Sequence, residues 1–103
     1  MSTWHKVAKI TDIASGQMKA FDVEDESILI INLYDKFYAI RDQCTHADTP
    51  LDGGEIEGDE IICPLHGARF CIPTGRVTAP PAYEDVQTFA VKVVDDDIFV
   101  GLE

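Results

Sequence analysis

All five prolines and all three cysteines fall between Asp42 and Ala82, while the chain on either side is built from short apolar stretches separated by turn residues. That middle reads as a loop-dominated insert between strands. Ordering such an insert costs roughly 1 to 2 kcal/mol per residue of backbone, so something other than a hydrophobic core must hold it, and a metal centre would do so. The flanks carry β signals. Trp4 to Ile10 and Gln17 to Val23 read as strands divided by Ala14-Ser15-Gly16, and Ile28 to Tyr34 is nearly all apolar, the pattern of a strand covered on both faces. Asp35-Lys36 turns the chain into Phe37 to Arg41. Near the C-terminus Phe89, Val91 and Val93 alternate with Ala90, Lys92 and Val94, and Asp95-Asp96-Asp97 leads into Ile98, Val100 and Leu102, which predicts a hairpin. No segment keeps helical periodicity through three turns, so the chain is expected to be all-β. Its 103 residues suffice for one small domain and not for two cores.

Charge narrows the function classes. Eight Lys and Arg against 19 Asp and Glu leave a net charge of −11, a field that repels phosphate backbones and anionic lipid and attracts a basic partner. No nucleic acid and no membrane are expected as partners, since no apolar run approaches the roughly 18 residues of a membrane helix. The start, Met1-Ser-Thr-Trp-His-Lys-Val, shows no basic stretch followed by an apolar core and cleavage site, so a cytoplasmic location is expected. Cysteines there are not read as a disulfide framework, and an odd number leaves one over, so metal binding is the chemistry to test.

Cys44-Thr45-His46 and Cys63-Pro64-Leu65-His66 form two matched pairs, C-x-H, then 16 residues, then C-x2-H. One tetrahedral zinc would require both side chains of the very short C-x-H loop to bend onto one point, whereas structural zinc sites space their ligands more widely. A two-iron centre relaxes that demand, because each loop can give its cysteine to one iron and its histidine to the other. A structural zinc site without redox function remains the alternative at this point.

The C-T-H and C-P-L-H-G boxes at this separation resemble those of the Rieske iron–sulfur proteins. Phe70, Thr74-Gly75 and Pro80-Pro81-Ala82 follow the second box as they do in the Rieske ferredoxins of aromatic-ring dioxygenases, and Trp4 and the strand pattern extend the resemblance over essentially the whole chain. The resemblance implies a Rieske fold: a basal antiparallel β-sandwich or barrel from residues 1–41 and 71–103, with a loop-rich cluster-binding subdomain, 42–70, inserted in it. It implies one [2Fe-2S] cluster per chain on Cys44, His46, Cys63 and His66. It also implies a monomeric one-electron carrier between a flavin-containing ferredoxin reductase and a terminal Rieske oxygenase. A small Rieske-like subunit of an assimilatory nitrite reductase is the alternative of another class. Two ferric ions, two sulfides and two thiolates cancel to zero charge with neutral histidines, so the centre accepts an electron more readily than an all-cysteine dianion, in a range of about −150 to +300 mV. Respiratory members of the family carry a disulfide at the places of Thr49 and Leu65, and a serine and tyrosine hydroxyl at those of Ala68 and Phe70. Their absence here implies no disulfide beside the cluster and a potential low in that range.

The histidine edge is the expected electron exit, rimmed by Thr45, Ala47, Pro50, Leu65, Gly67 and Pro80, with Asp48, Asp52, Glu55 and Glu57 as steering charges. Asp22 to Glu26 and Asp95 to Asp97 read as solvated turns. Cys71 reads as a small buried hydrophobe, and His5 has no assigned role. With two of three histidines in the boxes, the chain lacks the 2-His-1-carboxylate set of an oxygen-activating iron, so it is expected to be an electron-transfer component with no catalytic site of its own.

Overall fold

Three tight hairpins build the larger part of the molecule. In the computed structural model, which describes residues 3–45, 49–65 and 67–102, the strands are β1 (Thr3–Lys9), β2 (Met18–Val23), β3 (Glu26–Leu33), β4 (Lys36–Arg41), β5 (Glu55–Glu57), β6 (Glu60–Ile62), β7 (Arg69–Cys71), β8 (Val77–Ala79), β9 (Thr88–Val94) and β10 (Asp97–Leu102). The β2–β3, β3–β4 and β9–β10 hairpins close with Val23 opposite Glu26, Leu33 opposite Lys36 and Val94 opposite Asp97. Each has a two-residue loop with both residues at positive φ: Glu24-Asp25, Tyr34-Asp35 and Asp95-Asp96. That is the turn whose twist matches the strands. Two turns thus sit slightly earlier than the sequence suggests, since Lys36 and Asp97 already belong to strands.

These six long strands form one antiparallel sheet in the order β1-β10-β9-β4-β3-β2, and its two edge strands touch, so the sheet curls on itself. The apolar run in β3 is buried on both faces, as expected. Ile28 and Ile30 join Ala39, Ile98, Val100 and Leu102 inside the curl. Leu29, Ile31 and Leu33 point the other way, into a second core with Ile40, Leu51, Ile61 and Phe70. The period-2 alternation of a strand assigns the two cores to alternate residues of one segment.

The middle of the chain is more regular than a loop-dominated insert. Four three-residue strands make a second antiparallel sheet, β5-β6-β7-β8. Across it, Arg69 on β7 reaches Glu60 on β6 at 3.2 Å and Glu57 on β5 at 3.4 Å. A hydrogen bond with Thr78 on β8 and the Arg69 guanidinium together hold the Glu60 carboxyl below the usual carboxylate range. Two glycines permit close approaches in this part of the chain. A Cβ on Gly54 would lie 2.2 Å from the Ile62 carbonyl oxygen, and one on Gly75 would lie 2.2 Å from that of Val86.

Candidate metal centre

Cys63 follows directly on β6 and Cys44 stands shortly after the end of β4, and both boxes begin with the same closure. After β4 the Cys44 N–H donates to the Thr49 carbonyl at 2.8 Å, and after β6 the Cys63 N–H donates to the Ala68 carbonyl at 2.7 Å. Each cysteine is the root of a loop closed on the fifth residue beyond it. In the second loop the Gly67 N–H also donates to the Cys63 carbonyl at 3.1 Å, at a φ of +77° that favours glycine. The cysteines are 1% and 2% exposed, and they belong to one core cluster with Leu51, Ala68, Phe70 and Ala82. The structure thus brings Cys44 and Cys63 into a common apolar environment. His46 and His66 lie outside the described residues, as do Ala47 and Asp48 of the expected rim and steering set.

The loops emerge from this core toward solvent. Leu65 is 53% exposed, Pro50, Gly67 and Pro80 are exposed, and Thr45 is half-buried. The first loop is tied down sideways, because the Thr45 hydroxyl donates to the Glu84 carbonyl at 2.7 Å. Glu84 lies in the segment after the cis Pro80-Pro81 bond, and that segment is itself fastened by the Val86 N–H on the Gly75 carbonyl and by the Val77 N–H on Asp85. Tyr83 on the same segment is 85% exposed.

Several expectations change in detail. Cys71 is half-buried rather than buried and lines a groove with Asp59, Thr74, Arg76 and Asp85, apart from the core that holds Cys44 and Cys63. It also opens a third loop of the same form, with the Cys71 N–H on the Arg76 carbonyl and the Gly75 N–H on the Cys71 carbonyl. Glu57 pairs with Arg69, which it shares with Glu60, whereas Glu55 is exposed and in none of the ion pairs among the described residues. His5 faces Glu24 at 3.7 Å across the meeting edges of the curled sheet, far from any ligand role. The residue that sequence reasoning missed is Asp42, whose carboxylate oxygen accepts the N–H groups of both Leu51 and Asp52 at 2.9 Å. An aspartate two positions before a cysteine is a common turn residue, so nothing in the sequence pointed to partners nine and ten residues away.

A curled six-stranded antiparallel sheet carrying a small four-stranded sheet and two cysteine-rooted loops is the arrangement of a known class. A family model described as the Rieske [2Fe-2S] domain matches residues 3–90, and the chain belongs to that family. It is 42% identical over 98 residues to the ferredoxin component of biphenyl 2,3-dioxygenase from Rhodococcus jostii (strain RHA1), covering 95% of this chain and 92% of that protein. Among solved structures it is similar to the ferredoxin of carbazole 1,9a-dioxygenase from Nocardioides aromaticivorans IC177, with a TM-score of 0.91, 37% identity and coverage of 96% and 97% of the two chains. It is also similar to a chain in the complex of reduced oxygenase and oxidized ferredoxin in carbazole 1,9a-dioxygenase, with a TM-score of 0.89, 32% identity and coverage of 94% and 91%. The family indicates a Rieske-type [2Fe-2S] cluster. The donors on this chain fit it: two thiols at the roots of matching loops, shielded from water in one apolar cluster, suit the sulfur side of such a centre.

Proposed function

We propose that the chain is the ferredoxin of an aromatic-ring-hydroxylating dioxygenase system, a cytoplasmic one-electron carrier without a catalytic site of its own. It takes electrons from a flavin-containing ferredoxin reductase and delivers them to a terminal Rieske oxygenase. Cys44, His46, Cys63 and His66 would hold the cluster, and residues 42–70 would form the cluster-binding part. The observation that carries this reading is the pair of buried cysteines in one core cluster, at the roots of two loops that begin with the same closing hydrogen bond. Its support is the 42% identity to a dioxygenase ferredoxin component over nearly the whole chain.

When bound, the cluster supplies a site that takes and gives up one electron at a time. The chain's own residues do the rest. Leu51, Ala68, Phe70 and Ala82 exclude water around the two thiols, and the backbone hydrogen bonds at Cys44 and Cys63 close both loops. The hydroxyl bond from Thr45 keeps the first loop against the segment that presents Tyr83. Leu65 and Tyr83 offer exposed apolar area beside the loops, in keeping with a small and weak interface to alternating partners.

The test is chemical. The purified protein is expected to contain two irons and two acid-labile sulfides per chain, to show the EPR signal of a reduced Rieske centre, and to sustain oxygenase turnover when supplied with reductase. Cys63→Ser is expected to abolish that signal, and Cys71→Ser to leave it nearly unchanged. One zinc per chain with no sulfide overturns the reading.

A further inference from the structure

Asp42 stands at the exit of β4, two residues before Cys44, and is only 8% exposed. Its position is fixed by the sheet: its own N–H donates to the Ser27 carbonyl at 2.8 Å, and the neighbouring Arg41 N–H donates to the Gln87 carbonyl at 2.8 Å. From that anchor one carboxylate oxygen accepts both the Leu51 and Asp52 N–H groups at 2.9 Å. These bonds join the two ends of the segment that contains the whole first loop. At the far end Leu51 is fully buried beside Cys44 and Cys63, and its carbonyl accepts the Gly54 N–H at 3.0 Å, at the glycine whose Cβ would strike the Ile62 carbonyl. The return of the loop is therefore packed on the second sheet and its start on the first, and the Asp42 carboxylate joins them.

We infer that Asp42 is a positioning residue for the cluster, acting in two separable ways: its two accepted hydrogen bonds hold the first ligand loop in place, and its buried negative charge makes the centre harder to reduce. Charge-assisted hydrogen bonds to backbone N–H groups are roughly twice as strong as neutral ones. Breaking them would leave two N–H groups at a buried turn without an acceptor, at a cost of order 1 to 3 kcal/mol each. A charge held away from water is poorly screened, so it acts on an electron added nearby more strongly than the exposed carboxylates of the surface.

This inference rests on the proposed [2Fe-2S] reading, and two substitutions separate its parts. Asp42→Asn keeps an oxygen that can accept both N–H groups and removes the charge. It is expected to raise the midpoint potential measured by voltammetry and, because two charge-assisted bonds become neutral ones, to speed cluster loss to a chelator only slightly. Asp42→Glu keeps the charge and displaces the carboxylate by one methylene. It is expected to lose the cluster several-fold faster at a temperature where circular dichroism shows the sheets intact, with little change in potential. The assignment is overturned if the Asn variant keeps the parental potential, if the Glu variant keeps the parental cluster lifetime, or if the Asn variant loses the cluster as fast as the Glu variant. A parent protein without iron and sulfide would instead remove the functional reading itself.

Discussion

Ala68 and Phe70 show how far single residues set this site. Both are fully buried in the cluster that contains Cys44 and Cys63, and neither side chain carries a hydroxyl. Restoring one is expected to stabilise the reduced state by about 1 kcal/mol, which is roughly 40 mV for one electron. Ala68→Ser should therefore raise the midpoint potential. Phe70→Tyr should do the same at a greater cost in stability, since the ring is fully buried and overpacking costs about 1 to 3 kcal/mol. An unchanged potential in both folded variants, read by protein-film voltammetry, would show that hydroxyls at these positions do not reach the sulfurs. The identities of the four ligand candidates were legible because cysteine and histidine are rare and their spacing is chemically restrictive. Asp42 was not, because its role depends on partners that only the folded loop brings to it.

Among the elements, the hairpins were readable and the short strands were not. In β3 and β10 the apolar pattern runs through most of the strand, and acidic pairs such as Asp95-Asp96 mark the turns. Strands of three residues give period-2 alternation too little length to show, and glycines and prolines between them look like loop. What holds β5 to β8 is partly electrostatic, with Glu60 bonded to Thr78 and Arg69. Because the Glu60 carboxyl titrates below its ordinary value in the folded chain, the stability it contributes is complete above that ordinary value and is lost as pH falls through the lowered one. Glu60→Gln should accordingly give a protein whose melting temperature declines less steeply with acid between pH 5 and pH 3, the interval of about these carboxylate values. Equal slopes for parent and variant would place the acid sensitivity in other carboxylates.

For the molecule as a whole, a net charge of −11 on 103 residues predicts encounter rates that depend on salt. The ion pair from Glu57 to Arg69 shifts the test to Glu55, which is exposed on the same strand. Glu55→Lys is expected to slow electron delivery several-fold at low ionic strength and to have little effect at high salt, where the Debye length falls to about 3 Å at 1 M. Leu65→Glu should impair delivery at every ionic strength, because it places a charge in the apolar contact area. Normal oxygenase turnover at limiting concentrations of either variant would move the docking surface elsewhere.

Sequence by itself determined the all-β class, the doubly covered strand from Ile28 onward and the cysteine and histidine boxes. Each of these is a local property: alternation sets which face a residue occupies, and ligand spacing limits what a short loop can bind. The tertiary structure alone decided that Cys44 and Cys63 share one core, that Thr45 is tied to Glu84 and that Asp42 closes the first loop on Leu51 and Asp52. It also decided that Glu57 belongs to Arg69. These are pairings between segments whose composition allows many partners. Which one forms is fixed only when the curl of the large sheet and the close approaches at Gly54 and Gly75 bring particular backbones within hydrogen-bonding reach.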